Sequence, residues 1–141
     1  MTVIRSYRDL LVWQKAVELS ANCYALTKRF PATERYGLAS QIQRAAVSIA
    51  ANIAEGHGRN GPALFLHHLS VARGSLRELE TLLILADRLG YSKAETQRDL
   101  SAATDEVGRM LYGLSTKLSA SRAAGVVAGT SDQRAETRSA R

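Results

Sequence analysis

A chain of 141 residues has the length of one domain and can bury a core without a disulfide or a metal. Apolar residues make up 45% and prolines number two, which excludes a disordered or collagen-like chain over most of the length, while the single cysteine, Cys23, excludes an intrachain disulfide. The net charge of +6 favours acidic or phosphate-bearing partners, but fifteen of the nineteen basic and eleven of the thirteen acidic residues precede Ser119, so the helically patterned part is only mildly basic.

Residues 1–9 carry Arg5 and Arg8 without the apolar core of a signal peptide behind them. No segment approaches the ~18 apolar residues of a membrane span, so the expectation is a cytoplasmic protein with no membrane partner. Asp9 is placed to cap a first helix over residues 10–30, along which Trp13, Ala16, Val17, Ser20, Tyr24 and Thr27 recur at helical spacing. Pro31 stops that helix, because proline disfavours helical geometry in the residue before it. A second helix is predicted over 34–55 with Gly56 as its C-terminal cap. A third begins at Pro62, acceptable at a first helical position, and ends before Gly90. Ser92 and Glu95 spell a capping box for a fourth helix running to about Leu118. From Ser119 the chain is rich in Ala, Ser, Gly, Thr and Arg without apolar periodicity, which predicts a disordered tail. Its Arg122, Arg134, Arg138 and Arg141 are diluted by Asp132 and Glu136, the pattern of a solvated tail.

The second helix is the informative one. Leu38, Ile42, Ala45, Ala46, Ile49 and Ile53 form one apolar face, and Val47, Ala50, Ala51 and Ala54 form a second face of small residues. Between them runs a polar stripe of Gln41, Arg44, Ser48, Asn52 and Glu55. Arg44 is the only charged residue from Tyr36 to Ala54. A helix apolar or small nearly all round is expected to be buried all round, which one set of four helices cannot achieve alone. Part of this surface is therefore expected to meet another subunit; the alternative is that the alanines are good helix formers on an exposed face. The third helix is ordinary by comparison, with Phe65, Leu69, Ala72, Leu76, Leu79, Leu83 and Ala86 opposite Arg73, Arg77, Glu80 and Arg88.

Catalytic and cofactor chemistry finds little support. Gly56, Gly58 and Gly61 spell G-x-G-x-x-G, but a helix precedes them where a dinucleotide loop needs a strand, so a helix-to-helix turn is the expected use. His67 and His68 are adjacent and diverge by about 100° on a helix, and with His57 they do not compose a metal site. Glu78 and Glu80 diverge likewise, and Glu55 is expected to pair with Arg44 or a neighbouring helix. Ser48, Ser75 and Cys23 have no His/Asp arrangement in the sequence around them. Trp13 and Tyr36 read first as packing residues, and Cys23 as a buried, inert thiol.

The run of residues is similar to a family of bacterial four-helix proteins named for the intervening sequences of large-subunit ribosomal RNA genes. The likeness rests on L-L-V-W-Q-K-A at 10–16, Phe30-Pro31, Tyr36-Gly37-Leu38 with Gln41, and R-A-A-V-S-I-A-A-N-I-A-E-G at 44–56. It continues through Phe65, Leu69, A-R-G-S-L-R-E-L-E at 72–80 and Leu89-Gly90-Tyr91. The resemblance implies a four-helix bundle assembled into a homopentamer with a central opening. It also implies kinship with the accessory variability proteins of diversity-generating retroelements, which bind a reverse transcriptase and nucleic acid through basic outer surfaces. The ribosomal label reflects gene location, and the family offers no catalytic set to carry over.

The resulting expectation is an all-α, antiparallel up-down-up-down four-helix bundle over residues 1–118, assembling as a homo-oligomer, with a tail over 119–141. Gln41, Arg44, Val47, Ser48, Ala50, Ala51, Asn52 and Glu55 are the candidate oligomer interface. Arg59, Arg73, Arg77 and Arg88 are candidate contacts to RNA or DNA. No catalytic, metal or cofactor residue is assigned, and the functional expectation is a non-enzymatic scaffold. The alternative is a protein-partner adaptor platform without nucleic-acid binding.

Overall fold

The chain enters its first helix through a capped turn. Ser6 precedes a 3-10 turn at Tyr7–Asp9, its hydroxyl accepts the Arg8 N–H, and the Asp9 carboxylate accepts the N–H groups of Arg5 and Ser6 at 2.8 and 3.2 Å. Those two backbone donors hold the Asp9 carboxyl below its ordinary range. Asp9 therefore caps its own turn, and α1 (Leu11–Thr27) starts after Leu10 with no side-chain cap, unlike the expected arrangement. The computed structural model describes residues 3–139, with side chains through Gly125.

α1 ends three residues earlier than expected, and Pro31 instead opens a 3-10 turn at Ala32–Glu34. α2 (Leu38–His57) begins later than expected because Glu34 does not belong to it: the Glu34 carboxylate accepts the N–H of Leu38 at 3.0 Å and so satisfies one of the helix's orphan donors. Its C-cap is Gly58 rather than Gly56. Gly56 lies inside the helix, where a Cβ would stand 2.6 Å from His68 Cβ on α3. The glycine permits close approach of two helices, a use that competes with capping.

α3 (Pro62–Arg88) starts at proline after Gly61, whose φ of +93° favours glycine. Gly90, at φ +78°, ends it: the Gly90 N–H bonds Asp87 O and the Tyr91 N–H bonds Ala86 O, both at 2.9 Å, closing the last turn as expected. α4 (Ala94–Ser139) does not use the expected capping box, since the Ser92 hydroxyl bonds the Gln97 side chain at 3.2 Å. It also continues as helix beyond Leu118. Residues 119–125 are all exposed, so this extension adds helix without adding to the core there. Alanine and arginine, frequent in it, are strong helix formers and need no apolar stripe to extend a helix already begun. The side chains of Arg134 and Arg138, and Arg141 altogether, lie outside the described residues.

All four helices contribute to one core, and no strand occurs among the described residues. Its centre is Leu19 and Cys23 of α1, Ile42, Ile49 and Ile53 of α2, Leu69, Leu76 and Leu79 of α3, and Val107 and Leu111 of α4. The apolar faces expected for α2 and α3 are buried, except that Phe65 is only half-buried. For α1 the expected stripe is rotated: Val12, Ala16, Leu19, Cys23 and Leu26 face inward, while Val17 and Tyr24 stay exposed. Among the described residues no helix is long and apolar enough to cross a membrane.

Candidate interaction surfaces

The neighbours of α2 set which of its residues remain available. On one flank, Ser20 Oγ of α1 donates to Ala46 O at 3.0 Å, and Gln43 Nε2 donates to Thr27 Oγ1 at 3.0 Å. On the other flank, Ser48 Oγ and Ser75 Oγ of α3 share a 2.8 Å hydrogen bond. Between these flanks Gln41, Arg44, Val47, Ala51 and Glu55 are exposed. Val47 keeps 45% of its surface in water. Ala50 does not belong to this face, because it is packed into the core of its own chain.

The open face widens toward α1. Val17 and Tyr24 lie three before and four after Ser20, on the side of α1 that touches Ala46, and are 41% and 42% exposed. The small α2 surface thus continues onto apolar groups of α1 that belong to its periodic stripe in the sequence. A second difference concerns charge. Glu55 pairs with Arg59 at 3.0 Å, one turn along the chain, and not with Arg44. Arg44 forms no ion pair among the described residues.

Ser48 and Asn52 are half-buried and take partners within the chain. Asn52 Nδ2 donates to Ser48 O at 2.8 Å and Ser48 Oγ at 3.1 Å, leaving Asn52 Oδ1 to accept from His68 Nδ1 at 3.1 Å. That geometry gives His68 a proton on Nδ1. The chain Ser75–Ser48–Asn52–His68 fixes the register of α2 against α3, next to the close approach at Gly56. The sequence singled out the α2 half of this network; Ser75 and His68 were visible in it only as isolated polar letters on the third helix.

The four basic candidates fall into different environments. Arg59 and Arg77 are engaged, the latter by Glu80 at 3.0 Å. Arg73 places its guanidinium 5.7 Å from the ring centroid of Tyr112 on α4. Arg88 is exposed in the last turn of α3, where a cation suits the helix dipole. Arg73 and Arg77 share a groove of about 310 Å³ between α3 and α4 with Arg109, Tyr112 and Asp105. Arg109 and Tyr112 were not anticipated, because only the packing of Leu76 against Gly108 brings their turn of α4 beside Arg73.

The remaining residues considered for chemistry are dispersed. His57 meets the edge of Phe65 at 5.6 Å and His67 that of His68 at 5.5 Å. No set of three His, Cys, Asp or Glu side chains converges among the described residues. Cys23 is fully buried, and the apolar surroundings push its thiol up to about 12. Trp13 is half-buried against Tyr7 at 5.2 Å, whereas Tyr36, expected to be a packing residue, is 87% exposed.

The sequence profile described as 23S rRNA-intervening sequence protein matches residues 8–113. A crystal structure of a protein with unknown function from the S23 ribosomal protein family, from Bacteroides thetaiotaomicron VPI-5482, superposes with a TM-score of 0.69 at 26% identity. The match covers 74% of this chain and 97% of that one. No curated protein matches the chain.

Proposed function

This chain belongs to the 23S rRNA-intervening sequence protein family, and from that premise we propose that it is a non-enzymatic homo-oligomeric scaffold of the cytoplasm, pentameric as the family resemblance implies, that associates with nucleic acid. The observation carrying the assembly is the outer face of α2. Val47 and Ala51 are left in water beside Val17 and Tyr24, and Arg44 and Glu55 are the only charges on the exposed part of that face. A solvated face would be charged throughout; this one is suited to a second copy. Paired positions that rise on one helix fall on the next: Ser20 and Thr27 meet Ala46 and Gln43, Ser48 and Asn52 meet Ser75 and His68, and Arg73 and Leu76 meet Tyr112 and Gly108. They support an up-down-up-down bundle, which leaves α2 flanked by α1 and α3 with its outer face free.

Light scattering on the purified protein tests the assembly. The expected particle is a multiple of the 15.3 kDa chain, five-fold if the family number holds. A stable monomer at micromolar concentration would sink the scaffold reading. Nucleic-acid association is supported by the net charge of +6 and by Arg73 and Arg88, which form no ion pair among the described residues. Titration with RNA and DNA at rising salt tests it, since phosphate contacts make affinity fall steeply with salt.

A further inference from the structure

Two turns meet at one end of the molecule. Phe30, leaving α1, packs on Tyr91, which leads into α4, with ring centroids 5.2 Å apart. That end gathers Lys28, Arg29 and Arg35 from the first turn and Lys93 from the second, all exposed. None of the four forms an ion pair among the described residues, whereas Lys15, Arg59 and Arg77 each do. Acidic groups are close by in sequence: Asp87, Glu95 and Asp99 offset Arg88, Lys93 and Arg98 around the second turn. The first turn sets Lys28, Arg29 and Arg35 against Glu34 alone, whose carboxylate accepts the Leu38 N–H. The unbalanced charge therefore sits on residues 28–35.

A groove opens on each side of that turn. One, of about 530 Å³, lies between α1 and α4 and holds Arg29, Lys93 and Asn22 in its wall, with Asp99 as its single acid. The other, of about 580 Å³, has Lys28, Arg35 and Gln43 in its wall and no acid. Tyr36 also borders this second groove. Tyr36 is 87% exposed, and the Arg35 guanidinium stands 5.4 Å from its ring centroid. One exposed aromatic is unremarkable on a protein surface. An exposed ring set among unpaired cations and beside an acid-free groove is the combination that binds an unstacked base with its phosphates.

We infer that this end binds single-stranded nucleic acid, its phosphates held by Lys28, Arg29, Arg35 and Lys93 and one base stacked on Tyr36. The inference rests on the nucleic-acid part of the proposed function and moves the principal contact from the third helix to the end of the molecule. A single strand is specified because the ring needs a base face that a duplex keeps stacked.

Fluorescence anisotropy with a labelled 20-nucleotide single strand and the full chain tests it. Three to four phosphate contacts predict an affinity loss of about 20- to 50-fold between 50 and 200 mM salt. The triple variant Lys28→Ala/Arg29→Ala/Arg35→Ala is expected to weaken binding at least tenfold and to flatten the salt dependence. Tyr36→Ala is expected to weaken binding about 5- to 150-fold with the salt slope unchanged, and Tyr36→Trp to retain it. All these positions are exposed, so circular dichroism should report unchanged folding. The control Arg109→Ala/Lys117→Ala, at two exposed cations away from that end, should bind nearly as the wild type. If the control loses binding while the triple variant keeps it, the site is wrong and nucleic-acid association stands. If Tyr36→Ala binds like the wild type, or a duplex binds as tightly, the stacked base is wrong. If the wild type binds no nucleic acid even at 50 mM salt, the proposed association falls and this inference with it.

Discussion

Cys23 shows how burial overrides a residue's intrinsic chemistry. Its thiol is fully buried among apolar groups, and desolvation raises its pKa to about 12 against an ordinary value of 9.0. Ionising it in the folded state is disfavoured, so the native protein should react slowly with a disulfide reagent at pH 8 and quickly once denatured. Rapid stoichiometric labelling of native protein would contradict the burial. The linkage has a definite sign: above pH 9 the unfolded chain releases this proton before the folded one, so its contribution to stability falls as pH rises toward 12. Two glycines make the complementary case. At Gly56 a Cβ would meet His68 Cβ at 2.6 Å, a rigid atom at a helix contact, whereas at Gly113 it would meet nothing within 4 Å. Gly56→Ala gains about 1 kcal/mol of helix propensity but overpacks a close contact, which typically costs about 1–3 kcal/mol, so a net loss of stability is expected. Gly113→Ala should gain about 0.5–1 kcal/mol. Thermal unfolding of both distinguishes the roles; equal shifts of the same sign would show that the α2–α3 approach at Gly56 is looser than described.

At the scale of elements, what was legible depended on whether a signal could be satisfied locally. Pro62 and Gly90 act through their own backbone geometry, and each punctuates the chain as read from sequence, whereas α1 ends before Pro31 is reached and that proline opens a 3-10 turn. Asp9, Gly56 and Ser92 looked like caps, but each had a competing partner: the donors of its own turn, an approaching helix, and the Gln97 side chain. Composition alone does not settle such competition. The stripe of α1 is ambiguous in the sequence for a related reason, since apolar residues occupy both its faces and only the position of α2 decides that Val17 and Tyr24 stay outside. α4 beyond Leu118 is the converse, helical without apolar periodicity. Because residues 119–125 bury nothing against the core, ending the chain after Leu118 should reduce the helical ellipticity per chain and leave the midpoint of unfolding within a few degrees. A large drop in the midpoint would mean that this extension is packed in solution.

At the scale of the whole molecule, Ala50 and Ala51 separate the stability of one chain from that of an assembly. They are consecutive and chemically identical, yet Ala50 belongs to the core of its own chain and Ala51 is exposed in it. A glutamate at Ala50 would bury an unpaired carboxylate in the core and should unfold the chain whatever its oligomeric state. A glutamate at Ala51 would be solvated in a free chain, where exposed substitutions usually change stability by about 0.5 kcal/mol or less. In an assembly formed through α2, that same carboxylate would be desolvated at every contact between copies, and Arg44 is the only cation α2 itself carries between Tyr36 and Ala54. Ala51→Glu is therefore expected to remain helical but to scatter as a 15.3 kDa species, with an unfolding midpoint that no longer rises with protein concentration as that of the wild type should. The wild-type size retained by a helical Ala51→Glu variant would mean that the face between α1 and α3 is solvent-exposed, and its alanines merely good helix formers. Charge reversal at Arg44 sharpens the comparison, since restored assembly in Ala51→Lys/Arg44→Glu would place the two side chains across one contact.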